Sequence, residues 1–140
     1  MLIAMDLNLT EPWLATPPEL HDVLAELSAL EPIFHRPEFG TSRADLERMT
    51  VEGFWETGAS GRRYSRQFVL DELERRSSTP HEDVWETRDF CCRELGPATY
   101  LLTYTLLQYG QRLTRRSTIW QSTAEGWKAV YHQGTIVQDA

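Results

Sequence analysis

The chain has 140 residues with 21 acidic and 14 basic side chains, a net charge of -7. That length makes one ordinary domain able to bury roughly two-thirds of its unfolded surface, with no need of a metal or disulfide staple. The 41% apolar and 25% charged composition excludes long disorder, the net negative field disfavours general nucleic-acid binding, and no stretch of ~18 apolar residues reads as a membrane span.

In chain order, residues 1–15 read as an N-terminal tail without a sustained period, in which Trp13 is the residue able to dock onto the body. A single domain over 16–140 follows. Thr16 is placed to cap a first helix, Pro17 and Pro18 suit its first turn, and Glu19 suits its positive end. Leu20, Val23, Leu24, Leu27 and Leu30 recur at helical spacing, and Pro32 should bend or end the helix near Glu31. Ile33 and Phe34 continue the apolar contact. Ser42 and Asp45 form a capping-box pattern for a short helix to Met49, with Leu46 and Met49 inward. Thr50–Thr57 reads as a strand and Gly58–Gly61 as a turn. Ser65 caps a third helix to about Arg76, ended by Ser77–Pro80, with Asp71–Arg75 and Glu72–Arg76 as i,i+4 pairs on a solvated face.

From Asp83 onward the pattern changes to period two and to β-branched and aromatic types. The strand runs are Val84–Leu95, Thr99–Tyr109, Leu113–Ser122 and Trp127–Thr135. Short turns between them imply antiparallel meander pairing. Helices first and strands last make an α+β fold, with the helices packed on one face of a curved antiparallel sheet. Cys91 and Cys92 are adjacent, poorly placed to bridge, and read as reduced thiols. There is no basic, apolar leader of secretory type, so a cytoplasmic location is the default expectation. No Gly-rich phosphate loop and no metal-ligand spacing occurs, so no cofactor and no metal are expected.

Three stretches carry a family resemblance: Phe54-Trp55-Glu56-Thr57-Gly58-Ala59-Ser60-Gly61-Arg62, Arg116-Ser117-Thr118-Ile119-Trp120, and Gly126-Trp127 followed by His132-Gln133-Gly134-Thr135. With the element order, they resemble the nuclear transport factor two-like superfamily, which includes ketosteroid isomerases and SnoaL-like polyketide cyclases. The match is closest to its bacterial domain-of-unknown-function branch and runs from about Glu19 to Val137. The resemblance implies a cone-shaped, cystatin-like roll with a ligand pocket between sheet and helices, and a homodimer formed through the sheet. The expected partner is an apolar or amphipathic small molecule, not a nucleic acid or a membrane. No stretch matches the catalytic Asp and Tyr set of the steroid isomerases.

Glu56, beside two aromatics at a strand end, is a candidate for acid–base work through a pKa raised by desolvation, or pairs with an arginine. His132 is a candidate general base or ligand donor, or a core histidine with a fixed partner. If both face the cone they form an acid–base pair, the catalytic candidates of the chain. Trp55, Glu56, Tyr104, Ser117, Trp120 and His132 are the candidate pocket lining, although the aromatics serve equally as core. Which of Ile119 and Trp120 faces the pocket depends on an unfixed register. Arg115 and Arg116 point to opposite faces, so one can reach the pocket mouth to hold a carboxylate. Three functions compete. The leading one is a small-molecule-binding domain. The others are an isomerase, dehydratase or cyclase using Glu56 and His132, and a dimeric interaction module without a ligand.

Overall fold

The computed structural model describes residues 10–78 and 83–138. The first nine tail residues, and Thr79 and Pro80 of the expected helix stop, lie outside the described residues. A 3-10 turn at Pro18–Leu20 leads into α1 (His21–Ser28). Then come α2 (Arg43–Arg48), β1 (Thr50–Thr57), β2 (Arg63–Ser65) and α3 (Arg66–Ser77). Four long strands complete the chain: β3 (Trp85–Gly96), β4 (Thr99–Gln108), β5 (Arg112–Thr123) and β6 (Gly126–Ile136). No helix among the described residues is long and apolar enough to cross a membrane.

The strands form one sheet in the order β2-β1-β6-β5-β4-β3. Every neighbouring pair is antiparallel except β1 with β6, which is parallel. That exception puts the β1 segment beside the last strand, in the interior of the sheet. The helices cover one face, α1 against β3 and β4, α2 and α3 against β1. The architecture is the expected α+β roll, with the extra short strand β2 at its edge.

Local chemistry sets the element ends. Ser42 and Asp45 make the expected capping box, and the Ser65 hydroxyl accepts from the Phe68 N–H at 3.1 Å. Thr16 does not cap α1. The cap position of the leading 3-10 turn falls on Pro17 and that of α1 on Leu20, neither with a side-chain bond, and the Thr16 hydroxyl instead accepts from the Cys92 N–H of β3 at 3.0 Å. Thr16 is therefore tied to β3, and Trp13, 93% exposed, is not docked. On α3 the ion pairs also differ from expectation. Glu72 pairs with Arg75 at 2.7 Å and Asp71 reaches Arg43 of α2 at 2.6 Å, because α2 lies close enough to compete with the i,i+4 partner.

Leu20 and Leu27 of the first-helix stripe are buried with Phe54, Val69, Leu102, Leu106 and Trp120 in one core. A β-bulge decides what β6 presents to that core. Ile119 pairs with Tyr131 but Trp120 pairs with Ala129, so Val130 is the extra residue. Strict alternation from the buried Ala129 would put Tyr131 inside and His132 outside. The bulge reverses this, and His132 is buried while Tyr131 lies on the outer face against Trp55.

Candidate active site

The parallel pairing of β1 with β6 sets Glu56 directly beside His132. Both side chains face the helices. There, α3 and the Ile33–His35 segment roof a cavity of about 290 Å³, with Glu56, His132, Arg116, Arg76, Phe68 and Leu73 among its lining. A larger groove of about 670 Å³ lies beyond Phe34, His35 and Arg76, between α2, α3 and Trp85. The His35 ring bonds Asp83 at 2.7 Å, and the Arg36 guanidinium stacks over Trp85 at 4.8 Å, so the partition between the two spaces is anchored on both sides.

Burial raises the Glu56 carboxyl above its usual range, against the opposing pull of Arg116 and Arg76. Its oxygens accept no hydrogen bond among the described residues, and they face the cavity. His132 moves the other way. Burial, then the charge of Arg116 and the nearby His35, push its pKa down to about 3, so the imidazole is neutral at physiological pH.

The geometry also settles its tautomer. Arg116 Nη1 lies 3.4 Å from His132 Nε2, and a guanidinium can only donate, so Nε2 accepts. The ring proton is then on Nδ1, which donates to the Thr118 hydroxyl at 2.8 Å. Thr118 in turn bonds the carboxylate of Glu31.

Arg116 is itself held. Its Nε donates to the Thr114 hydroxyl at 2.9 Å. Its guanidinium lies flat against Gly134, the residue opposite it on β6. A Cβ added at Gly134 would sit 3.0 Å from both Cζ and Nη1 of Arg116. Glycine there is a packing requirement of the arginine.

Sequence reasoning missed Glu31. Its side chain is fully buried, and it accepts from the Ile33 N–H at 2.7 Å, the Tyr104 hydroxyl at 2.7 Å and the Trp120 indole N–H at 3.0 Å, besides Thr118. Burial raises its pKa while the converging donors oppose that shift. The signal was present. Leu20, Leu24, Leu27 and Glu31 follow helical spacing, and a carboxylate on an apolar stripe marks a buried polar site.

The expected pocket residues therefore separate. Glu56 and His132 line the cavity. Tyr104 and Trp120 lie on the inner face, but their polar atoms are used by Glu31. Trp55 and Ser117 do not reach the cavity, because alternation along β1 and β5 turns them to the outer face. Trp55 is 42% exposed there, and Ser117 lies in a groove with Thr103 and Gln133. Trp120 faces inward and Ile119 outward. Of the two arginines, Arg116 faces the cavity, while Arg115 donates to the Thr105 hydroxyl at 2.6 Å on the outer side. Cys91 and Cys92 are unbridged, and burial pushes the Cys92 thiol up.

No family model matches the chain and no curated protein matches it. Solved structures do. A protein from Streptomyces avermitilis, proposed as a dehydratase of the NTF2-like family, superposes with a TM-score of 0.67 at 15% identity, over 88% of this chain and 100% of its own. An NTF2-like protein of unknown function from Silicibacter pomeroyi gives 0.60 at 17% identity, over 83% and 97%. An uncharacterised cystatin-like protein from Caulobacter vibrioides gives 0.63 at 14% identity, over 80% and 87%. At these identities the likeness establishes the fold.

Proposed function

The chain has the NTF2-like, or cystatin-like, fold, and on that premise we propose that its cone cavity is a small-molecule site in which Glu56 and Arg116 are the polar groups that meet the ligand. The observation that carries this is the placement of Glu56 and His132 side by side, with Arg116, in one cavity. At about 290 Å³ the space lies at the small end of ligand sites, which run to ~300–1,000 Å³. It takes a compact molecule with an apolar body, held against Phe68 and Leu73.

Binding alone makes the protein a sensor or carrier. A second reading, an enzyme of the isomerase or dehydratase kind, is favoured by the unbonded, desolvated carboxylate of Glu56. Such a group can take a proton from carbon next to a carbonyl while Arg116 stabilises the enolate oxygen. Returning the proton to another carbon gives isomerisation. Returning it to a departing β-hydroxyl releases water and gives dehydration. In this reading His132 is not the acid, because it is neutral and its one N–H is bound to Thr118. It acts as a fixed acceptor that orients Arg116.

A thermal-shift screen against small metabolites tests the first reading. A compound that binds the native state raises the melting temperature, and the shift should shrink in Glu56→Gln and His132→Ala. Exchange of a hit's α-protons with deuterated solvent, followed by NMR, tests the second. Loss of Glu56 should slow that exchange by ~10²-fold or more. Hits with no exchange above the solvent rate leave a binding protein.

We also propose the homodimer through the outer sheet face, with Trp55 against the partner. Sedimentation at micromolar concentration tests it, and a monomer removes it.

A further inference from the structure

Three guanidiniums border the cavity: Arg116 within it, Arg76 on α3 and Arg112 at the start of β5. Among the described residues, none of the three forms an ion pair. Each is held by neutral groups instead. Arg76 donates to the Phe34 carbonyl at 3.3 Å and Arg112 to the Gln108 side-chain oxygen at 2.8 Å. Arg116 bonds Thr114 and His132.

A guanidinium carries five N–H donors, so these contacts leave most of them unused. The other charges do not balance the three. Glu72 is bound to Arg75 and His132 is neutral, which leaves Glu56 in the lining and Asp83, bonded to His35, beside Arg76 and Arg112 at the mouth, two carboxylates against three guanidiniums. In a chain of net charge -7 this is a local excess of positive charge.

Arg116 carries the strongest argument. Half-buried, it loses hydration, and Glu56 and Glu31 act on it only through space, since no carboxylate among the described residues is within ion-pair distance of it. Its lowered pKa, caused first by burial, reports the same cost. Two features nevertheless hold it in place: the Thr114 bond and the bare backbone of Gly134. A cation kept at such a cost at a cavity wall has donors that a bound anion would satisfy better than neutral groups do.

We propose that the ligand of the cone is a small organic carboxylate, its anionic head on Arg116 and its apolar body toward Phe68 and Leu73, with Arg76 and Arg112 drawing it in at the mouth. This rests on the reading of the cavity as a ligand site and specifies its chemistry. The planar fork of Arg116 suits the two oxygens of a carboxylate.

Titration calorimetry with benzoate and with its neutral isostere benzamide tests the proposal on the full chain. Benzoate is expected to bind at least tenfold more tightly than benzamide. Arg116→Met should weaken benzoate at least tenfold and leave benzamide unchanged. Gly134→Ala gives an independent version, because the atoms nearest the new methyl are those of the Arg116 guanidinium, a flexible side chain. It displaces the guanidinium without removing the charge, and should also weaken benzoate selectively.

Equal affinity for the two probes, or benzoate binding indifferent to both substitutions, overturns the anion assignment while leaving a ligand site in the cone. Binding of neither probe up to ~10 mM, weaker than about 3 kcal/mol of binding free energy, removes the ligand site and the anion assignment together.

Discussion

His132 offers a test of the buried network that needs no ligand. In the unfolded chain its pKa has the ordinary value of 6.5, and in the fold it is pushed down to about 3. Between those values the folded state binds fewer protons at this site than the unfolded state, so stability must fall as the pH falls. Worked through, lowering the pH from 7.5 to 5 costs the fold about 2 kcal/mol through His132 alone, and reaching pH 3 costs about 4 kcal/mol. Both are large against a total stability of ~5–15 kcal/mol. Glu56 and Glu31 have raised values, so their contributions run in the opposite sense, growing as the pH falls through the carboxylate range.

The assay must therefore be differential. Urea unfolding of wild type and His132→Asn at pH 7.5 and pH 5 cancels the carboxylate contributions, since both proteins carry them. Asparagine keeps a donor for Thr118 but does not titrate. The variant should be less stable at pH 7.5, and the gap should narrow by about 2 kcal/mol at pH 5. An unchanged gap would refute the reasoning. It would mean that His132 takes up a proton inside the fold, with Arg116 moved away from it.

Three further outcomes are expected. Glu31→Gln replaces a carboxylate that accepts from four donors with a group that itself donates, and should cost ~1–3 kcal/mol in urea unfolding; stability equal to wild type would show that the native carboxyl is protonated. Glu56→Gln removes a desolvated charge with no hydrogen-bond partner, so it should melt at or above the wild-type temperature at pH 7.5 while reducing any proton exchange; a clear loss of stability would make Glu56 structural. Leu27→Ala opens a cavity at a fully buried position where α1 meets the core and should cost ~2–5 kcal/mol; a loss under ~1 kcal/mol would mean that α1 is not locked onto the sheet.

The fold was legible because its signals are local. Caps at Ser42 and Ser65, the stripe of α1, and the change to period two after Asp83 each follow from residues within a few positions of one another. What was not legible was longer in range. Thr16 has the chemistry of a cap, but β3 offers it the Cys92 N–H seventy-six residues away. Asp71 has Arg75 at the right spacing, but Arg43 on another helix lies nearer. Faces were the hardest part. Simple alternation excludes Trp55 once Glu56 faces inward, yet nothing local announces the extra residue Val130. That single residue decides whether His132 or Tyr131 meets the cavity.

The same bulge explains why the site residues act as a unit. By turning His132 inward it sets Nε2 against Arg116 and Nδ1 against Thr118. Thr118 hands the interaction on to Glu31, which also takes the Tyr104 hydroxyl and the Trp120 indole. Each member satisfies a polar group that burial would otherwise leave exposed to an apolar core, so no member is independent of its neighbour. Substitutions at Glu31, Thr118 and His132 should therefore be non-additive, with double variants costing less than the sum of the singles. The chain of bonds leads from the core to the cavity in one direction, from a buried carboxylate to a guanidinium whose remaining donors face open space. Glu56, on the adjacent strand, stands outside that chain and shares none of its hydrogen bonds. The network fixes the arginine, and the carboxylate beside it stays free. That division of labour suits the proposed site, in which one group holds a ligand still and another exchanges a proton with it.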